Sequence, residues 1–230
     1  MSKYFFTIAA KLVHIILLLI LSLPQVLNIL EITSVVFVLI YLFYASKQRP
    51  MAWIFGIIAS VLSAVYFWQL ELIGSAVLQL FYILQGLNGF FTWLYFESDR
   101  KASYRYSLTY HSIALLLLLL ISVGVYWMIK VSSIGSYQGY NYFDILFALG
   151  SIWATQLETK KDVVCWDYWI ACNLGYTAFY IYQSIQGENM FFYSALMLLL
   201  AVFSYWARKK WMAVILKEDQ LQTYTDKHES

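Results

Sequence analysis

Charged residues, proline and cysteine are all scarce in this chain of 230 residues. Only 12% of the residues are charged, about half the share of roughly 25% that a soluble domain carries. Two prolines leave long stretches free to form uninterrupted helices. Cys165 and Cys172 show no CxxC spacing and no nearby histidine, so we interpret them as packing residues rather than as a disulfide or metal site. These shortages are typical of a membrane protein.

Motifs for catalysis and for nucleotide binding are also missing. The sequence has no cluster of His, Cys and carboxylate residues, no GxSxG and no phosphate loop, and its three histidines lie in separate regions. We therefore expect no enzymatic activity, no cofactor and no direct use of ATP. A net charge of +2 gives no reason to expect nucleic acid as a partner.

Long apolar runs fill most of the chain, and runs of about 20 residues are typical of transmembrane helices. They predict an all-α polytopic membrane protein with seven transmembrane helices over residues 28–45, 51–69, 72–96, 108–130, 141–158, 163–185 and 188–210. The preceding segment 4–24 is predicted either to cross the membrane as an extra helix or to lie in the interface as an amphipathic helix.

The basic residues predict the orientation of these helices. If all seven segments cross, ten of them fall on one side: Lys47, Arg49, Arg100, Lys101, Arg105, Lys160, Lys161, Arg208, Lys209 and Lys210. The opposite loops hold Glu71 and Glu188 and almost no basic residue. By the positive-inside rule the basic side and the C-terminus are cytoplasmic, and the lysine pair at 160–161 is expected to face lipid phosphate.

The seven helices divide into three, one and three, because each triplet has a basic loop first and a very short acidic loop second. An odd helix between the triplets makes them parallel repeats, an arrangement found in transporters with a substrate site between the halves. We predict an N-terminal interfacial or extra helix at 1–27, repeats at 28–96 and 136–212, a linker helix at 97–135 and a cytoplasmic tail at 213–230.

Polar and aromatic residues gather on one face of several predicted helices. In the stretch "KKDVVCWDYWIACNLGY" (160–176), four of them share an arc of about 80° on a helix of 3.6 residues per turn. The predicted site residues are Trp166, Trp169, Asn173 and Tyr176, with Trp153 and Gln156 from the fifth helix, Gln79, Tyr82 and Phe90 from the third, and Glu31 from the first. Interfacial aromatic belts and amides that join helices are the alternative interpretation.

Aromatic faces and amides together predict a pocket for a planar heteroaromatic solute, above all a cationic one held by cation–π attraction. A non-transporting membrane scaffold is the alternative outside transport. It would scatter polar residues around the helices rather than gather them in arcs.

The pieces "WIFG" (53–56), "LQLFYILQGLNGFFTW" (78–93) and "KKDVVCWDYWIACN" (160–173) resemble the PnuC-type vitamin transporter family, whose seven-helix fold is similar to that of the SWEET sugar transporters. The resemblance implies a passive uniporter in the bacterial inner membrane, usually a homotrimer. Its vitamin is trapped after uptake by a cytosolic kinase. It also implies that Trp166, Trp169 and Asn173 line the substrate site, with Gln79 and Tyr82 facing them.

The sequence departs from the pattern that the resemblance associates with nicotinamide riboside. Ala59 and Gly86 stand where asparagines are expected, and Phe90 stands where a tryptophan is expected. Fewer amides favour a substrate with fewer hydroxyls. On this reasoning thiamine, transported by the PnuT branch of the family, is the preferred substrate and nicotinamide riboside the alternative.

Overall fold

The computed structural model describes residues 29–69, 73–96, 101–131, 142–187 and 190–229. Over these ranges the chain forms seven α-helices: α1 (Ile29–Ala45), α2 (Met51–Gln69), α3 (Ile73–Phe91), α4 (Leu108–Val131), α5 (Tyr142–Thr159), α6 (Cys165–Ile185) and α7 (Phe191–Glu229). A π-helical turn, Thr92–Phe96, extends α3. The all-α class and the seven predicted segments are confirmed, whereas segment 4–24 lies outside the described residues. Helix α7 continues through most of the stretch that we assigned to a tail.

The helices have the length and apolarity of a multi-pass membrane protein. Four segments of the described helices are long and apolar enough to cross a bilayer, namely Met51–Trp68, Ser75–Phe96, Leu108–Val131 and Phe191–Glu218. Helix α1 is equally apolar but shorter. Helices α5 and α6 are not among the four. Both carry polar side chains of the predicted site, such as Gln156 in α5 and Asn173 in α6.

Packing follows the division into three, one and three helices. Neighbouring helices contact each other within each triplet, and α4 contacts α5. Between the triplets, the first helix of each contacts the third helix of the other, α1 against α7 and α5 against α3. This reciprocal contact is what two copies of one three-helix unit produce when they pack around a two-fold axis.

The first helix of each triplet ends in the same backbone cap. Gln48 and Lys161 both have the left-handed conformation, with φ of 54° and 53°. Beside them, the N–H of Arg49 bonds the carbonyl of Tyr44, and the N–H of Asp162 bonds the carbonyl of Leu157. These are the features of a Schellman motif. Because the two caps match residue by residue at a spacing of 113, they align the repeats and make Ala45 the equivalent of Glu158.

Two tryptophans form hydrogen bonds between the repeats at the basic end of the bundle. The indole N–H of Trp93 in the first repeat donates to the carbonyl of Thr159 at the end of α5. That of Trp211 in the second repeat donates to the carbonyl of Ala45 at the end of α1. Both bonds are 3.0 Å long. The last-turn carbonyls of a helix have no partner within that helix, so each repeat adds a hydrogen bond to the helix end of the other.

Trp93 and Trp211 belong to a buried cluster of four tryptophans with Trp53 and Trp166. Ring centroids are 5.3 Å apart for Trp53 and Trp93, 6.2 Å for Trp93 and Trp211, and 5.4 Å for Trp166 and Trp211. Lys161 is buried with its ammonium group 5.3 Å from the centroid of Trp93. The expectation that the whole lysine pair faces lipid is therefore wrong for Lys161, because its left-handed cap turns the side chain onto this cluster.

The segment before α4 binds the loop between α5 and α6. Ser103 forms an isolated bridge with Asp162, whose buried carboxylate accepts hydrogen bonds from the backbone N–H groups of Arg105 and Val164 at 3.2 and 2.9 Å. Burial raises the pKa of Asp162, and the bond from Val164 and the nearby His111 partly offset that rise. This carboxylate thus holds the start of α6, on which the predicted site residues lie.

Candidate functional site

A buried carboxylate, Glu158, lies between the two repeats near the end of α5. Its side chain is 0% exposed. One carboxylate oxygen accepts a hydrogen bond of 2.6 Å from the hydroxyl of Tyr41 in α1, and the other accepts one of 3.1 Å from the indole N–H of Trp169 in α6. The three residues form what we call the carboxylate cluster. It joins three helices from both halves of the molecule.

The short turn between α5 and α6 explains why Glu158 and Trp169 meet, since it folds two residues eleven positions apart onto facing helices. Tyr41 reaches the cluster across Gly56 in α2, where an added Cβ would lie 3.2 Å from the tyrosine ring. A larger residue at Gly56 would press on that ring, so the glycine makes room for the hydroxyl to reach Glu158.

Glu158 has no basic partner within salt-bridge distance among the residues that the structure describes. Its neighbours Lys160 and Lys161 are respectively exposed and turned onto Trp93. Burying a charge without an opposite charge is costly, and ionisable residues inside a membrane protein are functional candidates by default. Glu158 is therefore a candidate functional residue.

The residues of the arc predicted on α6 differ in burial and in their partners. Trp166 is fully buried against Trp211, whereas Trp169 is half-buried. Asn173, one turn beyond Trp169, is buried, and its amide makes no hydrogen bond to a described side chain. Trp169 and Asn173 thus offer an aromatic ring and an amide whose hydrogen bonds are not committed to other described side chains.

Two polar contacts join α3 to α5, through α5 residues that precede Glu158 of the carboxylate cluster. The amide of Gln85 donates to Gln156 at 2.6 Å, and the hydroxyl of Tyr82 bonds that of Ser151. Gln156 and Tyr82 were predicted site residues and both lie at this junction of the repeats. Gln85 was not predicted, although its spacing of three residues from Tyr82 places it on a neighbouring strip of the same helix.

The remaining predicted residues lie in other surroundings. The hydroxyl of Tyr176 reaches the backbone carbonyl of Asp144 at 3.4 Å, and Glu31 accepts a bond of 2.9 Å from Tyr66 in α2. Glu31 opens α1 whereas the carboxylate cluster lies at its far end, so the structure does not bring these two groups together. Trp153 packs beside Tyr110 of α4.

Gln79 and Phe90 of α3 are both half-buried. Phe90 packs against the apolar core that includes Trp53 and Trp93. For Gln79 no hydrogen bond to another described residue exists, so its amide has the same freedom as that of Asn173.

Two positions that favoured thiamine have packing roles. An added Cβ at Gly86 would lie 2.6 Å from the side chain of Ile57 in α2. Ala59 is 2% exposed. Packing therefore accounts for small residues at both positions.

The carboxylate cluster was missed because Glu158 reads in the sequence as the polar end of a helix beside a lysine pair. Only the structure shows that Glu158 is buried and bonded to Tyr41 of α1 and Trp169 of α6.

Among the described residues no group of three or more His, Cys, Asp and Glu side chains could hold a metal ion.

Comparisons with known proteins agree with this architecture. The profile of a protein family described as "Nicotinamide mononucleotide transporter" matches residues 28–213. A solved structure, "Crystal structure of the Vitamin B3 transporter PnuC", superposes with a TM-score of 0.69 over 91% of this chain and 90% of that chain, at 17% sequence identity. At this identity the likeness shows the fold alone. No curated protein matches the sequence.

Proposed function

The chain belongs to the nicotinamide mononucleotide transporter family, and on that premise we propose that it carries a vitamin with a positively charged heteroaromatic ring by facilitated diffusion. Family membership confirms the resemblance found in the sequence, and it confirms that the protein is a transporter rather than an enzyme. The family match covers both triplets and the linker helix between them.

One observation carries the proposed substrate class. The half-buried ring of Trp169 lies beside the carboxylate of Glu158 and one turn from the uncommitted amide of Asn173. A flat cationic ring stacked on an indole gains cation–π attraction, worth up to about 2 kcal/mol in a desolvated site. An amide then pairs with the polar edge of that ring.

Nicotinamide riboside is our first candidate. Its pyridinium ring is cationic, its ribose hydroxyls suit the amides of Gln85 and Gln156, and the matched family and structure both name vitamin B3 compounds as cargo. A 5′-phosphate would bring negative charge toward Glu158, so we rank the mononucleotide lower. Thiamine also has a cationic ring and is the competitor to test against.

Thermal stabilisation of the purified protein ranks these candidates. A ligand at a hundred times its dissociation constant stabilises by about 2.7 kcal/mol. We expect nicotinamide riboside to raise the melting temperature most, followed by thiamine, with smaller effects from the mononucleotide and riboflavin. A larger shift with thiamine would reverse the ranking, and no shift with any of the four would overturn the proposed function.

We propose that transport is passive and that phosphorylation in the cytosol retains the vitamin. The absence of a nucleotide-binding motif in the sequence supports this, since ATP cannot then drive transport directly. Substrate uptake into sealed liposomes should follow the substrate gradient alone. Faster accumulation under an imposed proton or sodium gradient, with no kinase inside, would contradict passive transport.

We propose that the protein resides in the bacterial inner membrane as a homotrimer, with its basic end and C-terminus in the cytoplasm. The ten basic residues on one side support the orientation. In the variant Gln186→Cys, the exposed position before Gly187 should react with an impermeant thiol reagent from outside the cell. Reaction only from inside would invert the topology, and a monomeric mass in detergent by light scattering would argue against the trimer.

A further inference from the structure

We propose that Glu158 is the specificity-determining charge of this site and makes it prefer a cationic ring over a neutral ring of the same shape. The inference rests on the proposed function and deepens it, because it names the residue that selects the charge of the substrate. Tyr41 and Trp169 hold its two oxygens in place.

The internal repeat provides the first argument. The position equivalent to Glu158 in the first repeat is Ala45, which is equally buried and belongs to the same Schellman cap. The fold therefore builds this helix end around an alanine, and nothing in the shared framework requires a carboxylate there.

The partners of Glu158 show the same asymmetry. At the spacing of 113 residues, Trp169 corresponds to Gly56, and Tyr41 corresponds to Ala154. All three members of the carboxylate cluster are thus matched by Ala or Gly in the other repeat. Three large polar side chains that meet at one point, and only once in the two repeats, indicate a dedicated site.

The surrounding charges provide the second argument. His111 and Asp162 face each other at 3.7 Å, and Asp167 accepts a bond of 2.7 Å from Arg208. The carboxylate of Glu158, in contrast, has only neutral donors among the described residues. Hydrogen bonds donated to a carboxylate favour its charged form whereas burial opposes it, and a cation on the face of Trp169 would supply the missing opposite charge.

The test compares ligands that differ in charge but not in shape. Binding of nicotinamide riboside is measured beside that of its benzamide C-riboside, in which carbon replaces the charged ring nitrogen. Thiamine and its neutral thiophene analogue form a second pair. The proteins are the wild type, Glu158→Gln, which removes the charge at constant size, and Asp167→Asn, which removes a nearby charge that does not touch Trp169.

We expect the wild type to prefer the cationic member of the pair it binds by about tenfold or more. Glu158→Gln should weaken binding of the cationic ligand and so make the two affinities similar. Asp167→Asn should leave the ratio of the two affinities unchanged. Equal wild-type affinities for both members would overturn the inference while leaving the proposed function standing. The ratio of wild-type affinities for the cationic and the neutral ligand tests the inference even if Glu158→Gln cannot be purified.

An unchanged affinity ratio in Glu158→Gln would also overturn the inference. If the carboxylate were only structural, its loss would lower ligand-free stability without changing the preference between the two ligands. Failure of the wild type to bind either cation would overturn the proposed function itself.

Discussion

The two repeats share a framework but differ in what they place on it. Both have a Schellman cap after the first helix, a tryptophan that bonds the other repeat, and an acidic residue in the first turn, Glu31 and Asp144. The second repeat alone adds a carboxylate and a half-buried indole, Glu158 and Trp169, where the first has Ala45 and Gly56. The tryptophan bonds between the halves thus occur in both repeats, whereas Glu158 and Trp169, to which we assign substrate selection, belong to the second repeat alone.

The largest effect is expected from the framework. Trp93→Ala and Trp211→Ala each remove a buried ring and the indole bond to the opposite repeat, and each should lower the free energy of unfolding by about 3–5 kcal/mol. The pseudo-symmetry predicts similar losses for the two variants, measured by thermal or chemical denaturation in detergent. A large loss in only one would show that the crossed bonds are not equivalent.

Asn173 tests the site side of the comparison. Asn173→Leu should weaken ligand binding by about 1–3 kcal/mol, because polar atoms of the ligand lose their partner in a desolvated site. Ser60→Ala, at the equivalent position of the first repeat, is the control and should bind as the wild type does. Titration calorimetry gives both affinities. A loss of stability with normal affinity in Asn173→Leu would assign this amide to helix packing.

The loops after α1 and α5 provide the smallest contrast. Asp162→Ala leaves the N–H groups of Arg105 and Val164 without their acceptor and should cost about 1–2 kcal/mol of stability, similar to the loss of a helix cap. Its counterpart Arg49 has an exposed side chain, so Arg49→Ala should change stability by less than about 0.5 kcal/mol. If Asp162→Ala and Arg49→Ala lowered the melting temperature equally, the two loops would not differ in their contribution to stability.

Local patterns in the sequence predicted most of the fold. Apolar runs, basic loops and the grouping of three, one and three helices correspond to α1–α7 because each depends on residues close together in the chain. The surroundings of the predicted site residues were harder to predict. A helical wheel places Trp166 and Trp169 on one face, but it cannot show that Trp211 covers the first and leaves the second half-buried.

Contacts between distant helices explain the other misses. Tyr41 and Glu158 are 117 residues apart, and neither has a neighbour in sequence that reveals the hydrogen bond between them. Gly86, which we interpreted as the loss of an amide, lies so close to the side chain of Ile57 that a Cβ there would be 2.6 Å from it. The sequence spacing of 113 between the repeats could have drawn attention to Glu158, because it sets a carboxylate against an alanine at a matched helix end.

Binding and stability measured on the same two tryptophan variants test the division between framework and site most directly. We expect Trp169→Ala to weaken the binding of nicotinamide riboside about 5- to 150-fold, the range for loss of a stacking ring. Trp93→Phe should bind like the wild type while losing about 1 kcal/mol of ligand-free stability with its bond to Thr159. Normal affinity in Trp169→Ala, or an equal loss of affinity in Trp93→Phe, would contradict the division of roles between Trp93 in the framework and Trp169 in the site.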